Sequence, residues 1–498
     1  MNNSLSKNLY THALISIIFT LLNGLFAFYI NSIFGEYLGK ESLGYLRLFS
    51  QIVGYLNLAE LGVTAAAASV LYKLFNEKKY NEIKDILYTV DYFYKRIAIF
   101  VFTVGLAFAF ILPYLSETIS FQEKVIWIVY SSATSLTFVY SRYILVFTSD
   151  QNYNIVQLTK NIIKVVLQCI QVFIIIEYQS FILFTVSLLI SNFVEWGCYK
   201  VIYNHKYKKL RYISKRTKNS RLIKSTGKVF YHKIAGVLVF STDYILITKF
   251  LSISIVAVYS SYLMIFQFIT LVINNLALVI KPKVGVIITS SNSDKKECWN
   301  LFNIVGFYFA TISLIVCYVC VNGFIELWMG KDYILEQVTV WLMLINFYIG
   351  IVRIPTDIVK EVSGYFDDIH LPILEGGLNL FISLILVFYI GLNGIIIGTL
   401  ISNITVLLVL KPYVVCKRIL ICDYLFYVKR NLLLLGISAI SFSLSIYLLD
   451  YINVSLFPKV CLSILTAIFC STITFIIDKD FRYILKNFIL SKVIKESL

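Results

Sequence analysis

Residues Lys200 to Lys233 read KVIYNHKYKKLRYISKRTKNSRLIKSTGKVFYHK, with twelve Lys or Arg and no acid. Long apolar blocks flank this stretch, and the same contrast of apolar block and basic gap recurs along the whole chain. The 498 residues are 59% apolar and only 14% charged, with mean hydropathy +0.80. A soluble domain carries roughly 25% charged residues, so the solvent of this chain is lipid. About 20 apolar residues cross the hydrocarbon core as a helix rising 1.5 Å per residue. On that measure fourteen spans are expected, near 11–34, 43–72, 96–115, 124–148, 154–176, 180–203, 228–250, 255–281, 301–322, 337–360, 371–390, 392–412, 430–450 and 455–477.

Of the 44 Lys and Arg, all but Lys40, Arg47, Lys124, Lys249, Lys331 and Lys459 fall at the N-terminus, in every second gap with its adjoining span ends, or in the C-terminal tail. The positive-inside rule therefore places both termini in the cytoplasm. It also accounts for the net charge of +16 without nucleic acid, for which no recognition module is present. Lys200–Lys233 lies midway, between spans 6 and 7. The expected organisation is an N-terminal lobe of six spans (1–203), a basic cytoplasmic linker (204–227), a C-terminal lobe of six spans (228–412), and a final pair of spans with a cytoplasmic tail (413–498).

An internal repeat supports two halves. Glu36-Tyr-Leu-Gly-Lys-Glu-Ser-Leu-Gly-Tyr45 is similar to Lys249-Phe-Leu-Ser-Ile-Ser-Ile-Val-Ala-Val-Tyr259 with one residue of slippage. Spans 5 and 11 align at an offset of 215, pairing Lys160 with Glu375, Lys164 with Asn379 and Phe173 with Phe388. Six spans per repeat make the halves parallel in topology. The segment from Ala13 to Phe34, interrupted by Asn23 and Asn31, has no small-residue cleavage pattern and reads as a retained first span. The nine cysteines form no zinc or disulfide framework. Cys317-x-x-Cys320 has a redox spacing, but within an apolar run it reads as helix packing.

The sharpest polar pattern is in span 5. Asn154, Gln157, Asn161, Lys164, Gln168 and Gln171 recur at spacings of 3, 4, 3, 4 and 3, with Lys160 beside them. That is one helix face about 25 Å long. A central Lys costs roughly 2.5 to 3.5 kcal/mol on insertion scales, so such a face avoids lipid. It either lines a cavity or makes interhelical hydrogen bonds. Span 2 carries a similar series in Arg47, Gln51, Gly54, Asn57, Glu60 and Thr64, and span 8 carries Ser260, Gln267, Asn274 and Lys281 at steps of seven.

Span 10 presents Arg353, Asp357, Lys360 and Glu361, whose alternating signs suit neighbouring ion pairs. Pro355 predicts a kink there. Arg142 in span 4 and Arg353 in span 10 hold similar positions in the two halves, either as phosphate-binding donors or as positive-inside anchors. Glu60, Asp243, Asp357 and Glu375 are candidates for carrying a coupling H⁺ or Na⁺, or for balancing buried cations. His232 is a single histidine at the membrane edge. No paired catalytic carboxylates, nucleophile elbow, phosphate loop or metal-ligand motif occurs in the sequence. A transporter without a resident cofactor or metal is therefore expected.

Three segments resemble the bacterial polysaccharide exporter, or lipid-linked oligosaccharide flippase, family. They are Gly44 to Ser50 running on to Gly62 and Lys73, Ser241 to Phe250, and Phe324 to Tyr333 with Gly391 to Gly398. The resemblance implies an all-α integral membrane protein of fourteen helices, with two MATE-like six-helix lobes around a cavity plus two C-terminal helices. It implies a bacterial inner-membrane location and a cargo of undecaprenyl diphosphate bearing an oligosaccharide, flipped outward for capsule or O-antigen. Glycosyltransferases and a polymerase are the implied partners. On this reading Arg47, Arg142, Lys160, Lys164, Lys281 and Arg353 hold the diphosphate. Gln51, Asn57, Gln157, Asn161, Gln168, Gln267, Asn274 and Asn379 meet the sugars. The rival functions are a multidrug cation antiporter, whose cavity should be acidic, and a membrane polymerase or ligase, which needs a larger outer loop.

Overall fold

A computed structural model of the chain describes residues 2–57, 61–116, 118–210, 242–290, 295–365, 368, 370–449 and 455–486. Glu60, His232 and the basic stretch beyond Leu210 lie outside the described residues. Fifteen α-helices of eight residues or more and no strand occur among the described residues. They are α1 Asn2–Asn57, α2 Leu61–Asn76, α3 Tyr80–Leu115, α4 Phe121–Ser149, α5 Tyr153–Phe173, α6 Phe181–Lys206, α7 Asp243–Phe250 and α8 Ile253–Thr289, then α9 Lys295–Met329, α10 Gln337–Val352, α11 Ile354–Ser363, α12 His370–Ile390, α13 Leu392–Ser402, α14 Tyr424–Leu449 and α15 Leu456–Phe475. Helical structure with wider, π-type turns extends α5 through Tyr178 and recurs in the continuation of α13 to Leu420.

Among the described residues, ten helical segments are long and apolar enough to cross a membrane: 80–115, 153–178, 181–206, 253–289, 295–329, 337–363, 370–390, 392–420, 424–449 and 456–475. They fall on expected spans 3, 5, 6 and 8 to 14, and the chain is a multi-pass membrane protein. At 56 residues α1 would measure roughly 84 Å as a straight rod, far more than the roughly 30 Å of hydrocarbon. Its helical path breaks at Gly39, where φ is 84° and ψ 164°, a conformation open to glycine for want of a Cβ. Two spans thus meet inside one run of helix.

The chain divides into two compact units, Met1–Ala257 and Val258–Leu498. The first unit takes in α7 and the opening turn of α8, which the sequence division at 228 assigns to the second lobe. Two contacts explain the grouping. Gly44 lies so close to Ile253 that an added Cβ would sit 2.1 Å from its carbonyl oxygen, and Lys249 Nζ donates to the carbonyl of Tyr114. The two stretches that match each other in sequence therefore touch within one unit.

Inside the first unit, α3 and α4 are joined by Trp127 Nε1 donating to Gly105 O at 2.7 Å and Ser135 Oγ to Ala98 O at 2.8 Å. Small and hydroxyl-bearing residues let the helices approach where hydrophobic burial gives no drive between them. The second unit uses the same device around α9. Thr311 donates to Ser438 at 2.8 Å, Tyr308 pairs with Thr472 at 2.9 Å, and Asn303 donates to Asn431 at 2.8 Å. Cys317 and Cys320 are buried there, and the Cys320 thiol lies 3.3 Å from the Ser463 hydroxyl. Span 10 breaks between α10 and α11 at Arg353, with Pro355 in the first turn of α11, where its missing N–H removes no helical bond.

Candidate functional site

The polar face of α5 is graded along its length. Gln168 and Gln171 are buried, Gln157 and Asn161 half-buried, and Asn154, Lys160 and Lys164 exposed. Gln168 Nε2 donates to Asn23 O of α1 at 3.3 Å, so the buried end of the stripe is closed by α1. Even so, Asn23 Oδ1, Gln168 Oε1 and Gln171 Nε2 are buried without a hydrogen-bond partner among the described residues. Hydrogen-bonding capacity is left over where it is most costly to leave it.

The other side of α5 is apolar and open. Leu158, Ile162, Val166, Ile170 and Phe173 are exposed, and Ile162, Val166 and Ile170 join Leu183, Ile190 and Val194 of α6 in a groove of about 530 Å³. At 100° per residue this side lies roughly opposite the polar stripe. The apolar side suits lipid, whereas the side bearing the lysines is costly to place in hydrocarbon.

The six candidate cations separate by partner. Arg142 Nη1 lies 3.2 Å from Asp91 Oδ1, its Nη2 donates to Tyr143 OH at 3.0 Å, and its guanidinium stacks 4.6 Å from the Tyr143 ring. Arg353 pairs with Asp357 at 3.5 Å, and Asp357 also binds Lys411, a cation the sequence reading passed over. Glu375 sits within electrostatic reach of Arg353 and Lys411. Lys281 pairs with Glu361 at 2.5 Å and Lys360 with Asp368 at 2.5 Å, so the charges of span 10 find partners beyond their own helix. Arg47 donates to Asn31 Oδ1, and Tyr130 and Tyr244 stand within its electrostatic reach. Lys160 and Lys164 differ from these. No carboxylate lies within ion-pair distance of either among the described residues; Glu195, held by Tyr140 at 2.9 Å, is the acid whose field Lys160 reaches.

The remaining polar candidates divide in the same way. Asn379 is buried, accepting from Ser383 Oγ at 3.0 Å and Thr399 Oγ1 at 3.4 Å, which ties α12 to α13. Gln51 donates to Tyr55 OH at 3.4 Å and Gln157 to Tyr153 OH. Asn57 and Gln267 are exposed and Asn274 half-buried. Asp243 is buried in the first turn of α7. No cluster of three or more metal-ligating side chains occurs among the described residues.

No family model matches the chain, and no curated protein sequence matches it. Solved structures do. The lipid II flippase MurJ in an inward closed conformation superposes with a TM-score of 0.68 at 15% identity, covering 93% of this chain and 99% of that one. An inward-facing multidrug resistance MATE family transporter of the MOP superfamily gives 0.64 at 16% identity over 78% and 92%. A MOP superfamily transporter from Pyrococcus furiosus, described as having a binding pocket of reversed polarity, gives 0.53 at 14% over 80% and 92%. The likeness is one of architecture: this chain has the all-helical fold that MurJ shares with the MATE transporters.

Proposed function

We propose that the chain is a flippase that carries undecaprenyl-diphosphate-linked oligosaccharides across the bacterial inner membrane for surface polysaccharide assembly. The observation that carries this reading is the exposed, lysine-bearing side of α5, where neither Lys160 nor Lys164 has a carboxylate within ion-pair distance among the described residues. Two ammonium groups in that setting suit an anionic diphosphate, and the neighbouring Asn154, Gln157 and Asn161 offer both donors and acceptors to sugar hydroxyls. A polyprenyl tail stays in lipid, while a glycan head cannot cross hydrocarbon unaided. The sequence resemblance to oligosaccharide flippases and the fold likeness to a lipid II flippase support the same direction.

In this mechanism the diphosphate is taken by Lys160 and Lys164 on one side of the membrane and released on the other by alternating access. Arg142 and Lys281, each paired with an acid of a neighbouring helix, hold helices together, while Arg353 pairs with Asp357 one turn further along its own helix. The Arg353, Asp357, Glu375 and Lys411 cluster is where a coupling proton would be exchanged. The test is the double variant Lys160→Ala/Lys164→Ala. Surface polysaccharide is expected to fall at least about tenfold, which corresponds to about 1.4 kcal/mol, with the amount of folded protein unchanged. Normal polysaccharide in cells making that variant as their sole copy would overturn the assignment.

A further inference from the structure

Cys416 and Cys422 flank the turn between the end of the α13 continuation and α14, and neither belongs to the transport machinery proposed above. Residues 416–420 form a π-type turn, and Ile421 then takes the left-handed conformation at φ 50° and ψ 53°. A β-branched residue there is a steric outlier, and such turns cluster at functional positions. The Cys422 N–H bonds the Cys416 carbonyl at 3.0 Å. This is the helix-ending Schellman arrangement widened by one residue, and that arrangement lays the side chain after the turn onto the side chain before it. Both of those side chains are thiols, near enough that each bears on the other's titration. Cys416 is 1% exposed while Cys422 is half-buried.

We propose that Cys416 and Cys422 form a peroxide-sensitive thiol pair that closes reversibly to a disulfide. The Cys422 thiolate attacks one oxygen of hydrogen peroxide, forming an S–O bond as the O–O bond breaks and hydroxide leaves. The Cys416 sulfur then attacks the resulting sulfenic acid. An S–S bond forms, the S–O bond breaks, and the departing hydroxide takes the Cys416 proton as water. Two thiols are oxidised and one peroxide is reduced to two waters. An accessible thiolate next to a shielded resolving thiol is the arrangement that this chemistry needs. The neighbouring Cys416 thiol brings the Cys422 thiol down to about 7, helped by Lys296 and opposed by burial and Asp423. The other cysteines lack this arrangement: Cys317, Cys320 and Cys470 are buried within helices, Cys198 and Cys298 are half-buried within α6 and α9, and Cys169 and Cys461 sit on exposed faces of apolar spans. Closing the ring pins a strained turn, so oxidation would stiffen the joint between the two helices.

The full-length protein in membrane vesicles is treated with hydrogen peroxide, capped with an alkylating agent and digested with trypsin. Cleavage after Lys417 and Arg418 separates the two cysteines, so the oxidised pair appears as two peptides joined until a reductant is added. Recovery of both peptides as separate capped thiols, or of Cys422 overoxidised and unlinked, would overturn the proposal. A second measurement follows alkylation of Cys422 by iodoacetamide against pH. In the wild type, half the maximal rate is expected near pH 7. In Cys416→Ala the rate at pH 7 should fall roughly tenfold, as the thiol returns toward an ordinary value near 8.5. An unmoved profile would remove Cys416 as the activating partner and sink the paired mechanism.

Discussion

Helices α5 and α12 are matched by the repeat, each is 21 residues long, and each carries an exposed phenylalanine at the same register, Phe173 and Phe388. Their polar residues have opposite fates. In α12, Asn379 is buried and bonded to Ser383 and Thr399, and α13 approaches so closely that a Cβ on Gly398 would lie 2.8 Å from the Ser383 backbone nitrogen. In α5, the matching Lys164 is exposed and no acid is within ion-pair reach among the described residues. The second unit consumes its intramembrane polarity as adhesion between helices, while the first keeps a face of it available. Residue type alone does not distinguish adhesion from recognition; burial and partners do.

Exchanging the matched residues should have the largest effect on stability. Asn379→Lys forces an ammonium group into a site closed by Ser383 and Thr399, where the desolvation penalty is several kcal/mol. Thermal unfolding in detergent should show loss of the folded second unit. Lys164→Asn changes an exposed side chain and should leave stability within about 0.5 kcal/mol, while under the proposed function it lowers polysaccharide export. Equal effects of the two substitutions on stability would show that α5 and α12 sit in equivalent environments after all.

A second network in the Val258–Leu498 unit tests the adhesion reading at lower cost. Arg430 Nη2 binds Asp478 Oδ1 at 2.7 Å and Asp480 Oδ2 at 2.9 Å, and its Nε donates to Asn300 Oδ1 at 2.9 Å. Arg430→Ala leaves Asp478 buried without its cation, which costs about 3–5 kcal/mol. Burial pushes the Asp478 carboxyl up, but the Arg430 ion pair and the N–H groups of Phe481 and Asp480 outweigh it and hold it below the ordinary value. A carboxylate lowered by folding contributes stability that is fully present above its unfolded value, near 3.9, and lost as pH falls through the lower native value. The melting temperature of the wild type should therefore drop on acidification below about pH 4, and Asp478→Asn should flatten that part of the profile. An unchanged slope would mean that other carboxylates dominate acid unfolding.

The α5 face was legible because its chemistry is local: spacings of 3 and 4 define a helix side without knowledge of any neighbour. The break at Arg353 was legible from Pro355 for the same reason. What the sequence concealed was pairing at a distance. Asp91 lies 51 residues from Arg142, and Lys411 lies 54 from Asp357, so the anchoring cations and the free ones looked alike in the chain. The grouping of α7 with the first unit rests on Gly44 against Ile253, a contact between segments over 200 residues apart. The thiol pair was hidden for another reason. Its turn has Ile421 where a glycine would have announced the left-handed residue, so only the backbone shows that Cys422 folds back on Cys416.

The smallest effect is the most diagnostic, because its sign separates the two readings of α5. If the stripe existed to glue α5 to α1, replacing Gln171 with an apolar side chain of similar length would cost stability. Its Nε2, however, is buried without a partner among the described residues, and a buried unsatisfied donor carries a desolvation penalty of about 1–3 kcal/mol. Gln171→Met removes that penalty and keeps the volume, so stability should rise by about 1 kcal/mol. Under the proposed function export should fall, because an amide is lost from the polar face of α5. A fall in both quantities would mean that Gln171 has a structural partner and that α5 is built like α12.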